Sequence, residues 1–335
     1  MYQPLRAVVR PLLSAAPSRI ICQTVKCFRA SPPSSSLFPS ANLSQVVASI
    51  TERLTDAGIS EPQLSASYLV SKCLSGNDPR VPVMARDWTR ISDDTELSPA
   101  QIATLETLIQ CRLSHVPIQY LVGNWDFRDL TLMCRPPVFI PRPETEQLVE
   151  VIMARLPGDN CSLLEVGPGT GAVSLSLLRE CEAVTRITAV ERAKAALELT
   201  RDNAEMLGLS DRLRLVLGRV GTDAELDLED SYDLIFSNPP YILRKDLPKL
   251  SPQISLFEDL RALDGGAEGL DVILPILELA GNKLSPGGRV ILEVDPCHPY
   301  ILPEKLEKLQ HQFEVEEVVK DFAEKDRFMV LKKLR

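Results

Sequence analysis

The sequence predicts an α/β protein. Its larger part is an open, mostly parallel, seven-stranded sheet with helices on both faces, preceded by a small helical bundle and a β-hairpin linker. Three observations carry this. From about residue 160 short apolar runs rich in β-branched residues alternate with stretches of helical periodicity, the pattern of a doubly wound sheet. Between about 42 and 115 apolar residues recur at helical spacing. Between about 116 and 142 apolar and polar residues alternate around turn signals.

The first ~40 residues stand apart. Residues 1–51 contain Arg6, Arg10, Arg19, Lys26 and Arg29 and no acid, the first acid being Glu52. Leu5, Val8, Val9, Leu12 and Leu13 can share one helical face, and Ser31-Pro32-Pro33-Ser34-Ser35-Ser36 reads as spacer. Acid-free, Arg-containing and Ser-rich, residues 1–40 have the composition of a mitochondrial transit peptide. The competing reading is a disordered basic tail. No uninterrupted apolar core follows the basic residues, so a secretory signal is disfavoured, and no run is long and apolar enough to span a bilayer.

Residues 41–115 form the helical domain. Leu43, Val46, Val47, Ile50 and Leu54 define one stripe. Leu64, Tyr68 and Leu69 define a second, and Ile102, Leu105, Leu108 and Ile109 a third. Ser98-Pro99 is a helix start, with Pro in the first turn. Residues 116–142 follow as the hairpin linker, with Gly123-Asn124 and Arg128-Asp129 as turns. Ile140-Pro141-Arg142-Pro143 is rigid and extended, and leads into a helix over 144–156. It reads either as a wall of a cofactor or substrate pocket or as a plain linker. Residues 143–335 form the sheet domain. Strands are predicted at 162–166, 186–190, 212–217, 232–237, 288–294, 313–319 and 327–333. Helices are predicted at 171–181, 192–207, 269–284 and 302–310. The last two strands have no helix between them and are expected to form an antiparallel pair at one edge.

Charge narrows the function. The chain carries −9 overall and residues 1–51 carry +5, so the remainder carries −14. Such an acidic body disfavours sequence-independent binding to duplex DNA. The eight cysteines (22, 27, 73, 111, 134, 161, 181 and 297) include no C-x-x-C pair, so neither a zinc ribbon nor a redox pair is indicated. The three histidines, His115, His298 and His311, show no metal-ligand spacing, and Pro296-Cys297-His298-Pro299 reads as a loop.

Three stretches carry chemistry, and all fall at carboxyl ends of predicted strands, where ligands sit in such sheets. The strand 162–166 runs into Gly167-Pro168-Gly169-Thr170-Gly171 and then a helix. Glycine lets the backbone approach a ligand closely. Gly167, Gly169 and Ala172 fit the dinucleotide pattern, so this loop alone does not separate NAD from S-adenosylmethionine. Glu191 ends the next strand, where an acid can accept from ribose hydroxyls. The third stretch is Asn238-Pro239-Pro240-Tyr241 after the strand Tyr232–Ser237. Its two prolines fix φ and donate no N–H. The Asn238 side-chain oxygen and the Pro239 carbonyl are two acceptors able to hold both N–H bonds of a planar NH2 group, turning its lone pair towards an electrophile. Tyr241 can hold the flat group and face a cationic reagent. A Pro-rich loop after a strand accounts for the tetrapeptide alone equally well. Together with the loop and Glu191 it favours an amino-methyltransferase over a dehydrogenase.

On these residues the chain resembles the class I, Rossmann-like, S-adenosylmethionine-dependent methyltransferases, and specifically the HemK/PrmC family. The resemblance extends to Pro117–Gly123, Val138–Glu146, Ala262–Leu270, Leu292-Glu293-Val294 and Asp321-Phe322 with Arg327, in the family's order over roughly residues 45 to 335. It implies methyl transfer to the side-chain amide nitrogen of a glutamine in peptide-chain release factors, with the helical domain docking the protein substrate. It implies that Glu165, Gly167, Pro168, Gly169, Thr170, Gly171, Glu191 and Asn238 serve the cofactor. It implies that Asn238, Pro239 and Tyr241 serve catalysis, and that Pro240 and Phe127 join them around the substrate. Phe127 can equally be a core aromatic of the hairpin. Glu165 stands where the family often has Asp; a carboxylate bonded to the Gly loop is the favoured reading over direct cofactor contact. Many members place an acid after the third strand, near the adenine. Here Leu217 is followed by Gly218-Arg219-Val220-Gly221 and the nearest acid is Asp223, so that contact does not carry over.

The expected partner is a mitochondrial release factor in the matrix, met by a monomer, with no membrane and no direct nucleic-acid partner. Two other substrates present the same NH2 geometry: a ribosomal-protein glutamine and the exocyclic amine of adenine. The latter requires base flipping and a basic channel. Residues 1–40 fused to a fluorescent passenger are expected to carry it to mitochondria; a diffuse cytosolic signal would count against the transit-peptide reading.

Overall fold

The structure is a computed structural model and describes residues 42–76, 78, 82–223, 226–308 and 312–334. Residues 1–40, expected to be a transit peptide, lie outside the described residues. The chain divides into two compact units. One holds the described residues up to Trp125 with Met133–Pro137 and Pro252–Phe257; the other holds Asp126–Leu132, Val138–Ser251 and the described residues from Glu258 on.

The first unit is built from helices Leu43–Asp56 (α1), Pro62–Ser75 (α2), Pro99–Leu113 (α3) and Ile118–Val122 (α4). In α1 the predicted stripe Leu43, Val46, Val47, Ile50 and Leu54 is the buried face. Asn42 and Gln45 close a capping box at its start, and Ser98 and Gln101 close another at α3. Leu64 breaks the expected α2 stripe: it is exposed at 41%, whereas Leu69 is fully buried and the Tyr68 ring packs tilted against Trp125, centroids 5.1 Å apart. Helix α4 occupies the start of the stretch expected to be hairpin linker. Pro117 caps it and Gly123, in the left-handed region, ends it, so local backbone chemistry overrides the short alternation. Buried Arg112 ties this unit together. Its Nε donates to Ser65 Oγ (3.1 Å), and its two amino nitrogens donate to the carbonyls of Val116 (3.1 Å) and Ser60 (3.2 Å).

Asn124–Phe127 (β1) and Leu130–Met133 (β2) form the hairpin, turned at Arg128-Asp129 as expected. Arg128 sits at φ +51° and is held there from two sides. Its N–H donates to Glu146, and its guanidinium grips both Glu180 oxygens at 2.7–3.0 Å.

The second unit begins with Pro143–Met153 (α5) and Ser162–Val166 (β3), followed by Ala172–Glu180 (α6), Arg186–Glu191 (β4), Lys194–Leu207 (α7), Leu213–Leu217 (β5) and Tyr232–Ser237 (β6). Ile273–Lys283 (α8), Leu284–Glu293 (β7), His298–Lys308 (α9), Phe313–Lys320 (β8) and Asp326–Lys333 (β9) complete it. The seven strands run β5-β4-β3-β6-β7-β9-β8, parallel except for β9, which is antiparallel to both β7 and β8. Strand order reverses between β3 and β6, the switch point at which open α/β sheets bind ligands. Side chains alternate between two cores. Leu163, Leu234, Phe236, Phe328 and Val330 belong to one; Leu164, Ile235, Met329 and Leu331 belong to the other. Tyr232 and Ile235 share a face despite their odd spacing because the ladder shifts register between Tyr232 and Leu234.

Three expected elements move, one of them the strand predicted from 288, which starts at Leu284. The helix predicted from 302 starts at His298, because Pro299 lies in its first turn, where a missing N–H costs nothing. The helix predicted from 269 starts only at Ile273, after Gly269 at φ +76°. Replacing Arg112 with Met is expected to leave the Ser60 and Val116 carbonyls without their donor. Denaturant unfolding should show a loss of about 3 kcal/mol, against less than about 0.5 kcal/mol for a surface arginine substitution.

Candidate active site

Parallel pairing brings three strand ends side by side. In β3 and β6, Leu163 pairs with Leu234, Leu164 with Ile235 and Glu165 with Phe236. Beyond these pairs the Ser237 hydroxyl donates to the Val166 carbonyl at 2.6 Å, joining the last residues of the two strands. Glu191 ends β4 on the other side of β3, where Val166 pairs with Val190. The loop 167–171, Glu191 and the turn 238–241 therefore meet at the switch point.

The loop is tied from behind. The Thr200 hydroxyl of α7 donates to the Gly169 carbonyl and the Asn203 amide to the Thr170 carbonyl, each at 2.9 Å. Gly167 and Gly169 take φ of +75° and +62°, and a Cβ on either would meet nothing within 4 Å, so their open side has room for a ligand. Gly171 differs: a Cβ there would meet Leu175 and Thr200 at 2.9 Å, so this glycine lets α6 and α7 approach. The buried Glu191 carboxylate accepts from the N–H of Ala193 (2.8 Å) and of Gly169 (3.3 Å). Burial pushes it up and these donors oppose the shift. Two fixed donors leave its remaining lone pairs for ribose hydroxyls. Leu217, paired in register with Glu191, is 54% exposed at the end of β5 and offers an apolar surface beside it. Asp223 accepts from the Arg219 N–H at 2.6 Å and shapes the loop after β5. An open glycine cradle, a pre-set carboxylate and an apolar shelf fit S-adenosylmethionine.

Glu165 does not bond the Gly loop, as its sequence reading had it. It is fully enclosed and accepts from the Ser174 hydroxyl on α6, so it braces the helix that follows the loop. Burial pushes it up to about 7 despite that hydroxyl. Phe127 is buried among the leucines of the second unit's core, the second of its two readings.

The turn 238–241 is held by residues whose roles the sequence did not show. Asn238 is half-buried, and its Nδ2 donates to Thr145 Oγ1 at 3.0 Å. Thr145, in the first turn of α5, donates its own hydroxyl to Glu293 Oε2 at 2.8 Å. The Tyr241 hydroxyl donates to the other Glu293 oxygen at 3.0 Å. Arg327 lies over the Tyr241 ring, 6.0 Å from its centroid, and bonds Asp321 at 3.1 Å. Among the described residues nothing donates to Asn238 Oδ1 or to the Pro239 carbonyl. Burial, then the Glu293 charge, raise the Tyr241 phenol above its ordinary range, so it stays protonated. Thr145 and Glu293 lay within segments singled out in the sequence; the only hint of their role was a carboxylate interrupting an otherwise apolar strand end.

Two further contacts brace the start of α5 and the turn. Buried Glu258 accepts from the Ile140 N–H and from Arg142 at 2.6 Å, anchoring the start of α5. Gly265 packs under the turn, where a Cβ would lie 2.7 Å from the Pro240 carbonyl oxygen and 2.8 Å from Tyr241 Cα. Among the described residues there is no group of three or more potential metal ligands, and no helix is long and apolar enough to cross a membrane.

Sheet order, glycine loop, strand-end acid and Asn-Pro-Pro-Tyr turn define a class I S-adenosylmethionine-dependent methyltransferase. Residues 45–123 match the PrmC N-terminal domain and residues 131–251 the methyltransferase small domain. A human protein named MTRF1L release factor glutamine methyltransferase is 37% identical over 294 residues, 82% of this chain and 83% of that one. Release factor glutamine methyltransferases of Mycolicibacterium smegmatis and Moorella thermoacetica are 34% and 33% identical. They align over 76% and 85% of this chain and 84% and 96% of their own lengths. The chain belongs to the release factor glutamine methyltransferase family.

Glu165 yields a signed pH prediction. Its carboxyl is raised in the folded state from 4.5 to about 7, so folding holds a proton that the unfolded chain releases. Its contribution to stability is full below about pH 4.5 and is lost as pH rises towards 7. Glu165→Gln is expected to gain on the wild type in melting temperature between pH 5 and pH 8; an equal difference at both would contradict this.

Proposed function

We propose that this chain transfers a methyl group from S-adenosylmethionine to the side-chain amide nitrogen of the glutamine in the Gly-Gly-Gln loop of a mitochondrial release factor. One observation carries the reading. Asn238 Oδ1 and the Pro239 carbonyl are two neighbouring acceptors, unused among the described residues, on a turn made stiff by two prolines. A primary amide has two N–H bonds and a delocalised lone pair. Accepting both bonds fixes the nitrogen and aims the lone pair, a gain from positioning and oriented dipoles. The Tyr241 ring, clamped through its hydroxyl, supports the amide plane.

The loop Gly167–Gly171 with Pro168 and Thr170, Glu191 and Leu217 would hold the cofactor, and Glu165 would act on the loop through Ser174. When bound, S-adenosylmethionine would supply a methyl carbon made electrophilic by its sulfonium; its carbon–sulfur bond would break to leave the neutral thioether, and the amide nitrogen would release one of its two protons to solvent. The glutamine assignment also draws on the names of the three relatives. The mitochondrial assignment rests on the acid-free composition of residues 1–40. The helical unit is the surface on which a folded factor would dock, so a short Gly-Gly-Gln peptide should be the poorer substrate. The −14 charge beyond residue 51 disfavours adenine in a nucleic acid.

Mass spectrometry of a mitochondrial release factor incubated with the protein and S-adenosylmethionine is expected to show one methyl on that glutamine. Modification of a ribosomal-protein glutamine instead, or of nucleic acid alone, would overturn the assignment. Asn238→Ala is expected to keep its calorimetric affinity for S-adenosylmethionine and to lose roughly 10²–10³-fold in kcat. Loss of cofactor binding would refute this division of labour.

A further inference from the structure

The Asn238 side chain can serve an incoming NH2 group only if its oxygen faces outward. An amide has two nearly isosteric orientations, and the wrong one presents a second NH2 to the substrate. Something must choose between them, and the turn alone does not: its prolines fix the backbone and leave the end of the Asn238 side chain free.

Glu293 and Thr145 make the choice. Glu293 is 1% exposed and, as a carboxylate, can only accept. It receives two hydroxyls, Thr145 at 2.8 Å and Tyr241 at 3.0 Å, one on each oxygen. Thr145 has a single hydroxyl proton, and it is committed to Glu293. Thr145 Oγ1 can therefore only accept from Asn238, which must turn its Nδ2 inward, as the 3.0 Å contact records. The oxygen is left outward. We infer that Thr145 and Glu293 are positioning residues that fix the donor–acceptor polarity of the site: one buried carboxylate orients a relay of hydroxyl and amide, so that Asn238 presents an acceptor. Neither needs to touch the substrate. The same carboxylate holds the Tyr241 hydroxyl, so the amide acceptor and the aromatic support are set by one group on β7. Burial pushes the Glu293 carboxyl up; the Thr145 and Tyr241 hydroxyls, and then the charge of Arg327 over the Tyr241 ring, oppose that shift and favour the carboxylate.

Glu293→Gln keeps the shape but adds a donor. One of the two hydroxyls must then accept. If it is Thr145, its proton is freed to point at Asn238 and the amide can invert; if it is Tyr241, the phenol gives up its bond to a charged acceptor and the ring loses that clamp, so either way one element that Glu293 sets is released. Thr145→Val keeps the shape and removes the relay, and Thr145→Ser preserves it.

This inference rests on the glutamine-methylation reading, and its test separates the two. In the full-length protein, the Asn238 Nδ2 protons are expected to exchange slowly with solvent by nuclear magnetic resonance in the wild type and in Thr145→Ser, and to exchange at least tenfold faster in Thr145→Val. That measurement needs no substrate. With a release factor, Thr145→Val and Glu293→Gln are expected to lose about 10²-fold in kcat, with KM for the factor and calorimetric affinity for S-adenosylmethionine within twofold of wild type, and Thr145→Ser to restore kcat. Should Thr145→Val not fold, the kcat of Glu293→Gln and the exchange rates of wild type and Thr145→Ser decide the matter. Unchanged exchange, unchanged kcat, or failure of serine to rescue would overturn the inference. A wild-type protein that modifies no glutamine would overturn the functional reading instead, leaving the exchange arm to judge the relay.

Discussion

The parallel pairing of β3 with β6 is the contact on which the rest depends. Glycine loop and Asn-Pro-Pro-Tyr turn are separated by about seventy residues and by two complete strand–helix units. They become neighbours only because β6 returns to the free edge of β3 after β4 and β5 have been laid down on the other. The ladder from Leu163–Leu234 to Glu165–Phe236 sets the register, and the Ser237 hydroxyl on the Val166 carbonyl carries it past the end of regular pairing. A slip of one residue would invert the faces of β6 and send Leu234 and Phe236 into the wrong core. The two cores are thus what holds the chemistry in register.

Around that switch point the work is divided by strand. The loop after β3 has an open side and is tied by α7, the buried acid that ends β4 is pre-set by backbone donors, and together they suit a ligand whose contacts are mainly hydrogen bonds. The turn after β6 is braced by α5, β7, β9 and the glycine segment below it, and it ends in two acceptors. Buried carboxylates recur in both halves. Glu165, Glu258 and Glu293 are each shielded from water and each satisfied by specific donors, which is the condition for keeping such groups inside. They stiffen the structures that carry functional groups.

Much of this was legible in the sequence, for identifiable reasons. Strand ends were marked by Gly167 and Pro239, residue types that punctuate a chain, and by Glu191, a charge that closes an apolar run. The α1 stripe and Ser98 cap follow from local spacing and were read correctly. Local rules failed where two of them competed. Pro299 looks like a loop residue until one asks which helical position has no use for an N–H, and the alternation after Val116 gave way to a turn of helix between Pro117 and Gly123. Phe127 and Glu165 show a different limit, since burial and partner depend on distant elements. Least legible was the link from Glu293 to Thr145 to Asn238, whose members lie 148 and 93 positions apart. Periodicity tells which side of an element is buried; it does not tell which buried hydroxyl will meet which carboxylate.

The position of β9 has a consequence for the order of events during synthesis. It is the last of the seven strands to be made, yet it lies inside the sheet, between β7 and β8. It brings Arg327 to the Tyr241 ring and to the Val294 carbonyl. A chain emerging from the ribosome can assemble the cofactor side from β3, β4 and β5 while β7 still waits for its antiparallel neighbour. The amide side is completed only after Asp326–Lys333 has threaded into place. Under the proposed function, vectorial translation would thus separate the two halves of the site in time, so that capacity to bind a nucleoside would precede capacity to modify a protein.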